Sequence, residues 1–164
     1  MPDLQYEVIK RLLDEGYPIT FLLAGDLSEE LTSLKRKMLN DKYKENFVIT
    51  GFLDEKKYYS AIACSDIITN LRCPTMGETS GTLLQSLVLG KPVIVSEYNQ
   101  YNEYPNDVCW KLPDENAEII LYNYLKYLLS NKNIRDQLGK NAKEYSNLFT
   151  IDKIINLYTA VINL

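Results

Sequence analysis

A chain of 164 residues, 46% hydrophobic and 24% charged, has the composition of one folded domain, long enough to bury a core. A net charge of -4 with cations and anions interspersed offers no basic face for nucleic acid, and no apolar run approaches the ~20 residues that cross a bilayer. Histidine is absent, which excludes imidazole triads and histidine metal sites, while three cysteines without metal-type spacing read as reduced thiols of a cytoplasmic protein.

In chain order, Tyr6, Val8, Ile9, Leu12 and Leu13 repeat at helical spacing, and Gly16 and Pro18 end that helix. Ile19 to Ala24 is a continuous apolar run, the pattern of a strand buried on both faces. Leu27 to Leu39 is amphipathic, with Ser28 as cap, Leu31, Leu34, Met38 and Leu39 inward, and its charged residues on a solvated face. Phe47 to Thr50 forms the next strand, Gly51-Phe52-Leu53 its exit turn, and Asp54 the cap of a helix carrying Tyr58, Tyr59, Ile62 and Ala63. Helical spacing makes one of these tyrosines core and the other amphipathic surface, so neither is assigned a function.

The central stretch runs from Asp66 to Ser96. An apolar strand (Ile67, Ile68) ends in Thr69, Asn70 and Arg72. It is followed by the loop Gly77-Glu78-Thr79-Ser80-Gly81-Thr82, the apolar helix Leu83 to Leu89, the stop Gly90-Lys91-Pro92 and a second strand, Val93-Ile94-Val95. Two strands joined through a helix make a parallel crossover, whose loop lies at the carboxyl ends of the strands, where open α/β sheets bind ligands. The polar, tyrosine-rich loop Glu97 to Pro105 is either a second wall of that site or a surface excursion with locally packed tyrosines. Val108 to Leu112 reads as an edge strand. The last third is helical: Ala117 to Leu129, then Ile134 to Phe149 with a break near Gly139, then a helix from Ile151 capped by Thr150.

The run Cys73 to Gly81, the helix after it and Gly90-Lys91-Pro92-Val93-Ile94-Val95-Ser96 resemble the donor-binding domain of group 1 (family 4) glycosyltransferases of the GT-B type. The resemblance extends over nearly the whole chain: Phe21 to Gly25, Val48 to Leu53, Asp66 to Leu71 and Asn147 to Ile162 match the family's second strand, its glycine-aromatic turn, the strand entering the sugar loop and the closing helix. It implies an α/β, Rossmann-like parallel sheet with helices on both faces, the C-terminal half of a GT-B fold. It also implies a retaining transfer of a hexosyl group from a nucleotide-sugar, such as a UDP- or GDP-sugar, to an acceptor hydroxyl, with no metal.

The implied roles have a physical logic. Gly77 and Gly81 let backbone approach a diphosphate, and the amides of Ser80, Gly81 and Thr82 open a helix whose N-terminus favours anions. Glu78 is the implied catalytic residue, facing the sugar hydroxyls; Arg72 supplies a cation, with Thr79 beside it. Gly51, Phe52 and Leu53 correspond to the base pocket.

Two departures stand out. The family's second carboxylate, which holds the ribose, has no counterpart: counting from Glu78 reaches Ser86 and anchoring on Gly90 and Pro92 reaches Gln85, which can hydrogen-bond hydroxyls without the charge-assisted strength. The family's first strand, central in the sheet, and its basic loop have no counterpart before Met1, nor does an N-terminal acceptor domain. The chain therefore reads as a fragment of a larger enzyme, peripheral at a membrane in its parent and inactive alone. Its sheet would expose unpaired backbone groups worth about 1–3 kcal/mol each if buried. Either the remaining strands close up, or another chain, such as a second copy, covers them. The alternatives are a non-catalytic GT-B-like scaffold and a nucleotide-sugar epimerase-like enzyme.

Overall fold

The structure, a computed structural model, describes residues 1–25, 32–72 and 78–162. Its elements run α1 (Pro2–Asp14), β1 (Phe21–Leu23), α2 (Thr32–Asn40), β2 (Phe47–Ile49), α3 (Glu55–Cys64), β3 (Ile68–Asn70), α4 (Gly81–Val88), β4 (Val93–Ser96), β5 (Trp110–Leu112), α5 (Ala117–Ser130), α6 (Lys132–Ser146) and α7 (Ile151–Ile162). All strand pairs are parallel, and helices lie on both faces, the expected α/β class. Among the described residues no helix is long and apolar enough to cross a membrane.

The strands form two half-sheets, β1-β2 and β3-β4-β5, with no β1–β3 pairing among the described residues. The expected gap at the centre is thus present, and the flanking strands do not close it. A helix spans the seam instead. On α1, Gln5 Oε1 accepts from the Thr69 hydroxyl of β3 at 2.6 Å, while the neighbouring Tyr6 ring lies 5.3 Å from Phe47 of β2. α1 also packs against α2 and α5, so one layer of helices ties the halves together.

The alternation of side chains along β4 separates two cores. Ile94 joins α1, α2 and α5 in one cluster, whereas Val93 and Val95 join Leu83 and Leu87 of α4 and Ala142 of α6 in the other. Gly90, at φ +65°, turns the chain from α4 into β4. α6 presses onto that turn at Gly139, where an added Cβ would lie 2.2 Å from the Gly90 carbonyl oxygen.

Several expectations change. The strand after Pro18 is shorter than Ile19 to Ala24, and Phe21, Leu22 and Leu23 are partly exposed rather than buried on both faces, because β1 pairs on one edge only. In α2, Leu34 and Met38, four residues apart, form the inward stripe; Leu39, one helical step further round, is exposed. Leu27, Ser28 and Leu31 lie outside the described residues. α6 runs unbroken through Gly139, whose missing side chain serves the contact with Gly90 and not a kink. α7 forms as expected, yet its apolar residues are exposed.

Candidate functional site

The carboxyl ends of β3 and β4 are fixed to each other by side chains. Past Asn70, the Arg72 backbone N–H donates to the Ser96 hydroxyl at the end of β4, at 2.9 Å. Asn70 Nδ2 donates to Ser80 Oγ at 2.7 Å, and the same oxygen accepts from the Leu83 amide at 3.3 Å. Ser80 is therefore both the cap of α4 and the bolt that holds the helix mouth against β3. Its burial makes these bonds matter, since each buried polar atom would otherwise be left without a partner.

Above this mouth, Arg72 Nη1 donates to Glu78 Oε1 at 2.7 Å, with both side chains partly exposed. The pair brackets residues 73–77, so Gly77 lies outside the described residues. Thr79 and Gly81 are exposed beside it, and the space at Gly81 Cα is open to 4 Å. The first turn of α4 thus lies beside a guanidinium, with Thr79 and Gly81 exposed, an arrangement that can take an anion. Thr82 shares a 2.6 Å hydroxyl–hydroxyl bond with Tyr58 of α3, which ties its side chain to that helix.

Gln85 sits one turn into α4. Its Oε1 is buried and has no hydrogen-bond partner among the described residues. Gly51 has φ +64°, a conformation that side chains beyond glycine rarely adopt, and starts the turn into α3. The turn is held by Thr50, whose hydroxyl accepts from the Gly25 amide at 3.3 Å, and by Asp54, which caps α3 by accepting from the Lys57 amide at 2.8 Å. Phe52 is 88% exposed and Leu53 partly so. This turn belongs to the two-stranded half, whereas Arg72, Glu78, Ser80, Gly81, Thr82 and Gln85 gather on the three-stranded half.

The loop after β4 packs its tyrosines locally, one of them in the core. Tyr101 is fully buried in the core beneath α4, Tyr104 stacks on Tyr145, and Tyr98 donates to Asp114. Gln100 meanwhile donates from Nε2 to the Glu78 carbonyl at 2.9 Å, so the loop also braces the site. Cys109 is buried, and burial pushes its thiol up to about 11, which removes it as a nucleophile at neutral pH.

The family model described as "Glycosyl transferases group 1" matches residues 1–145. The chain belongs to the group 1 glycosyl transferases. It is 29% identical over 126 residues to an uncharacterized glycosyltransferase of Methanocaldococcus jannaschii, an alignment covering 76% of this chain and 31% of the relative. The chain thus spans about a third of that relative's length. Its fold is similar to the C-terminal domain of a glycosyl transferase group 1 family protein from Francisella tularensis (TM-score 0.62, 18% identity, covering 79% of this chain and 69% of that one). It is equally similar to sucrose-phosphate synthase from Thermosynechococcus elongatus (TM-score 0.62, 20% identity, covering 87% and 38%). β3, residues 78–80 of the loop and α4 form where the sequence puts them, while residues 73–77 lie outside the described residues. Sequence reasoning gave no role to Asn70, to Ser96 or to the Ser80 hydroxyl, because a lone polar residue at a strand end or loop carries no periodic signal.

Proposed function

We propose that this group 1 domain binds the nucleotide-sugar donor of a retaining glycosyltransferase. The observation that carries the reading is the Arg72–Glu78 pair, 2.7 Å apart, at the N-terminus of α4. The diphosphate would lie against the Gly81 and Thr82 amides with Arg72 as its cation. The sugar hydroxyls would donate to Glu78. Arg72 has further N–H groups beyond the one given to Glu78, so it can hold a phosphate oxygen and the carboxylate together. The chemistry is electrostatic: fixed donors stabilise the departing diphosphate while the sugar takes on oxocarbenium character, and no imidazole is required. Phe52, exposed beside Gly51, would receive the base. On this reading the chain is the donor half of a longer cytoplasmic hexosyltransferase whose other domain supplies the acceptor.

Calorimetry of the chain with UDP, GDP and ADP, and with their glucose conjugates, tests the assignment. Arg72→Ala is expected to weaken both the nucleoside diphosphate and its sugar conjugate by about tenfold, the scale of a lost charge-assisted bond. Glu78→Ala should weaken the conjugate alone. Binding that ignores both substitutions, or the absence of binding by the unmodified chain, would overturn the reading. A second reading, a scaffold without turnover, draws on Gln85, an amide whose buried oxygen has no partner among the described residues, at one of the two positions where the resemblance implies a carboxylate.

A further inference from the structure

Along the free edge of β5 lies a cleft of about 380 Å³, walled by Trp110, Tyr124 and Pro113 and rimmed by Glu97, Asn106 and Lys111. It is separate from the helix mouth of α4, and none of the donor-site residues lines it. Three observations define what it can hold. The first is an aromatic wall: the Trp110 ring lies 4.9 Å from Tyr124 and 6.1 Å from the half-exposed Tyr127.

The second is the state of the polar groups. The Lys111 ammonium is already committed, donating to the Tyr104 carbonyl at 2.6 Å and to Asn106 Oδ1 at 2.5 Å. That bond orients the Asn106 amide and leaves its NH₂ as the available donor, while the Glu97 carboxylate has no hydrogen-bond partner among the described residues. The third concerns the strand edge itself. The Lys111 carbonyl, which points away from β4, is taken by the Tyr124 hydroxyl at 3.3 Å, so the edge is closed to an added peptide strand.

A ligand for this cleft must show one apolar face to the rings, donate to a carboxylate and accept from an amide. Net charge gives no advantage to an ion, because the Lys111 ammonium, bonded only to neutral acceptors, balances the Glu97 carboxylate at the rim. An uncharged sugar ring has these features: its axial C–H bonds form an apolar face and its vicinal hydroxyls donate and accept in one plane. A few aligned polar groups within aromatic walls also match the general anatomy of small-molecule sites. We propose that the β5 edge is a second carbohydrate-binding site, which holds an uncharged glycan through Trp110, Tyr124, Glu97 and Asn106.

Trp110 is the single tryptophan of the chain, so its emission reports the site directly. The chain is titrated with maltotriose, cellotriose and triacetylchitotriose, with choline as a cationic control. A saturable change with at least one trisaccharide is expected. It should be weakened about tenfold or more in Glu97→Ala and Asn106→Ala at an unchanged melting midpoint, and preserved in saturating UDP. The proposal is overturned if no trisaccharide responds up to about 20 mM, if only choline responds, or if both substitutions leave the response intact. Because the readout does not require UDP to bind, failure of the donor assignment and failure of this one give different results.

Discussion

Phe21-Leu22-Leu23 and Val93-Ile94-Val95 are equally apolar strands, yet they end in different environments. β4 has a partner on each edge and a helix layer on each face, and all four of its residues are buried. β1 has one partner, its residues stay partly exposed, and on the neighbouring β2 Val48 is 40% exposed. Burial in this fold follows the number of neighbours and not the composition of the strand. The difference extends to the site. Arg72, Glu78 and Ser80 stand on the well-packed half, whereas the Gly51 turn and its exposed Phe52 stand on the thin half. The Arg72–Glu78 pair is thus carried by the better-packed part of the molecule.

The comparison is broken most directly by truncating one residue in each half. Ile94 is fully buried, so Ile94→Ala should cost about 3 kcal/mol through lost transfer energy and a cavity. Val48→Ala should stay within about 0.5 kcal/mol. Urea melts of the two variants measure both, and equal losses would show that β2 is as tightly packed at Val48 as β4 is at Ile94. Next in size is Gly139→Ala. Its new Cβ would meet a backbone oxygen at 2.2 Å, not a side chain that can rotate away, so α6 must separate from the Gly90 turn. A loss of about 2 kcal/mol is expected, as for other overpacked contacts, read as a lower thermal midpoint.

Ser80→Ala removes the α4 cap and leaves Asn70 Nδ2 buried without its partner. The two costs together come to about 2 kcal/mol. Because the substitution frees the helix mouth, it should also weaken nucleotide binding more than its distance from any ligand charge would suggest. A melt paired with a UDP titration separates these effects, and a stability loss with unchanged binding would mean that the mouth needs no bolt.

These contrasts also mark how far the sequence can be read. Helices and strands were legible because their periods are local: the inward stripe of α1, the Asp54 cap and the Gly90 turn all appear in the structure. The gap between β1 and β3 was legible only through the resemblance, since strand pairing is a long-range property that no window of residues encodes. Leu39 and Gly139 were misread for related reasons, one by rotation around a helix and the other by contact with a turn nearly fifty residues away. At the site, Arg72 and Glu78 were visible as charges flanking a glycine loop. The bonds from Asn70 to Ser80 and from Arg72 to Ser96 join separate elements and could not be seen beforehand.

The smallest expected effect bears on what joins the halves. Asp14 and Glu15, at the end of α1, are both held below the usual carboxylate range, Asp14 first by the hydrogen bond from Lys42 and Glu15 first by that from Lys126. The Glu15 clamp also accepts from the Tyr122 hydroxyl, at 2.6 Å, and so fastens α1 to α5. A carboxylate whose pKa is depressed in the folded state adds stability above its unfolded pKa, near 4, and that contribution disappears as pH falls through the folded value. The difference in melting midpoint between the unmodified chain and Glu15→Gln should therefore be small and constant at neutral pH, and shrink and disappear as pH falls below about 4 and through the lowered folded value. Added salt should reduce it, because the ions are exposed. If α1 rather than strand pairing holds the seam, Glu15→Gln should speed amide exchange in β1 while leaving β4 unchanged. Equal acceleration in both strands would mean that the half-sheets open together and that the seam is not the weak line of the fold.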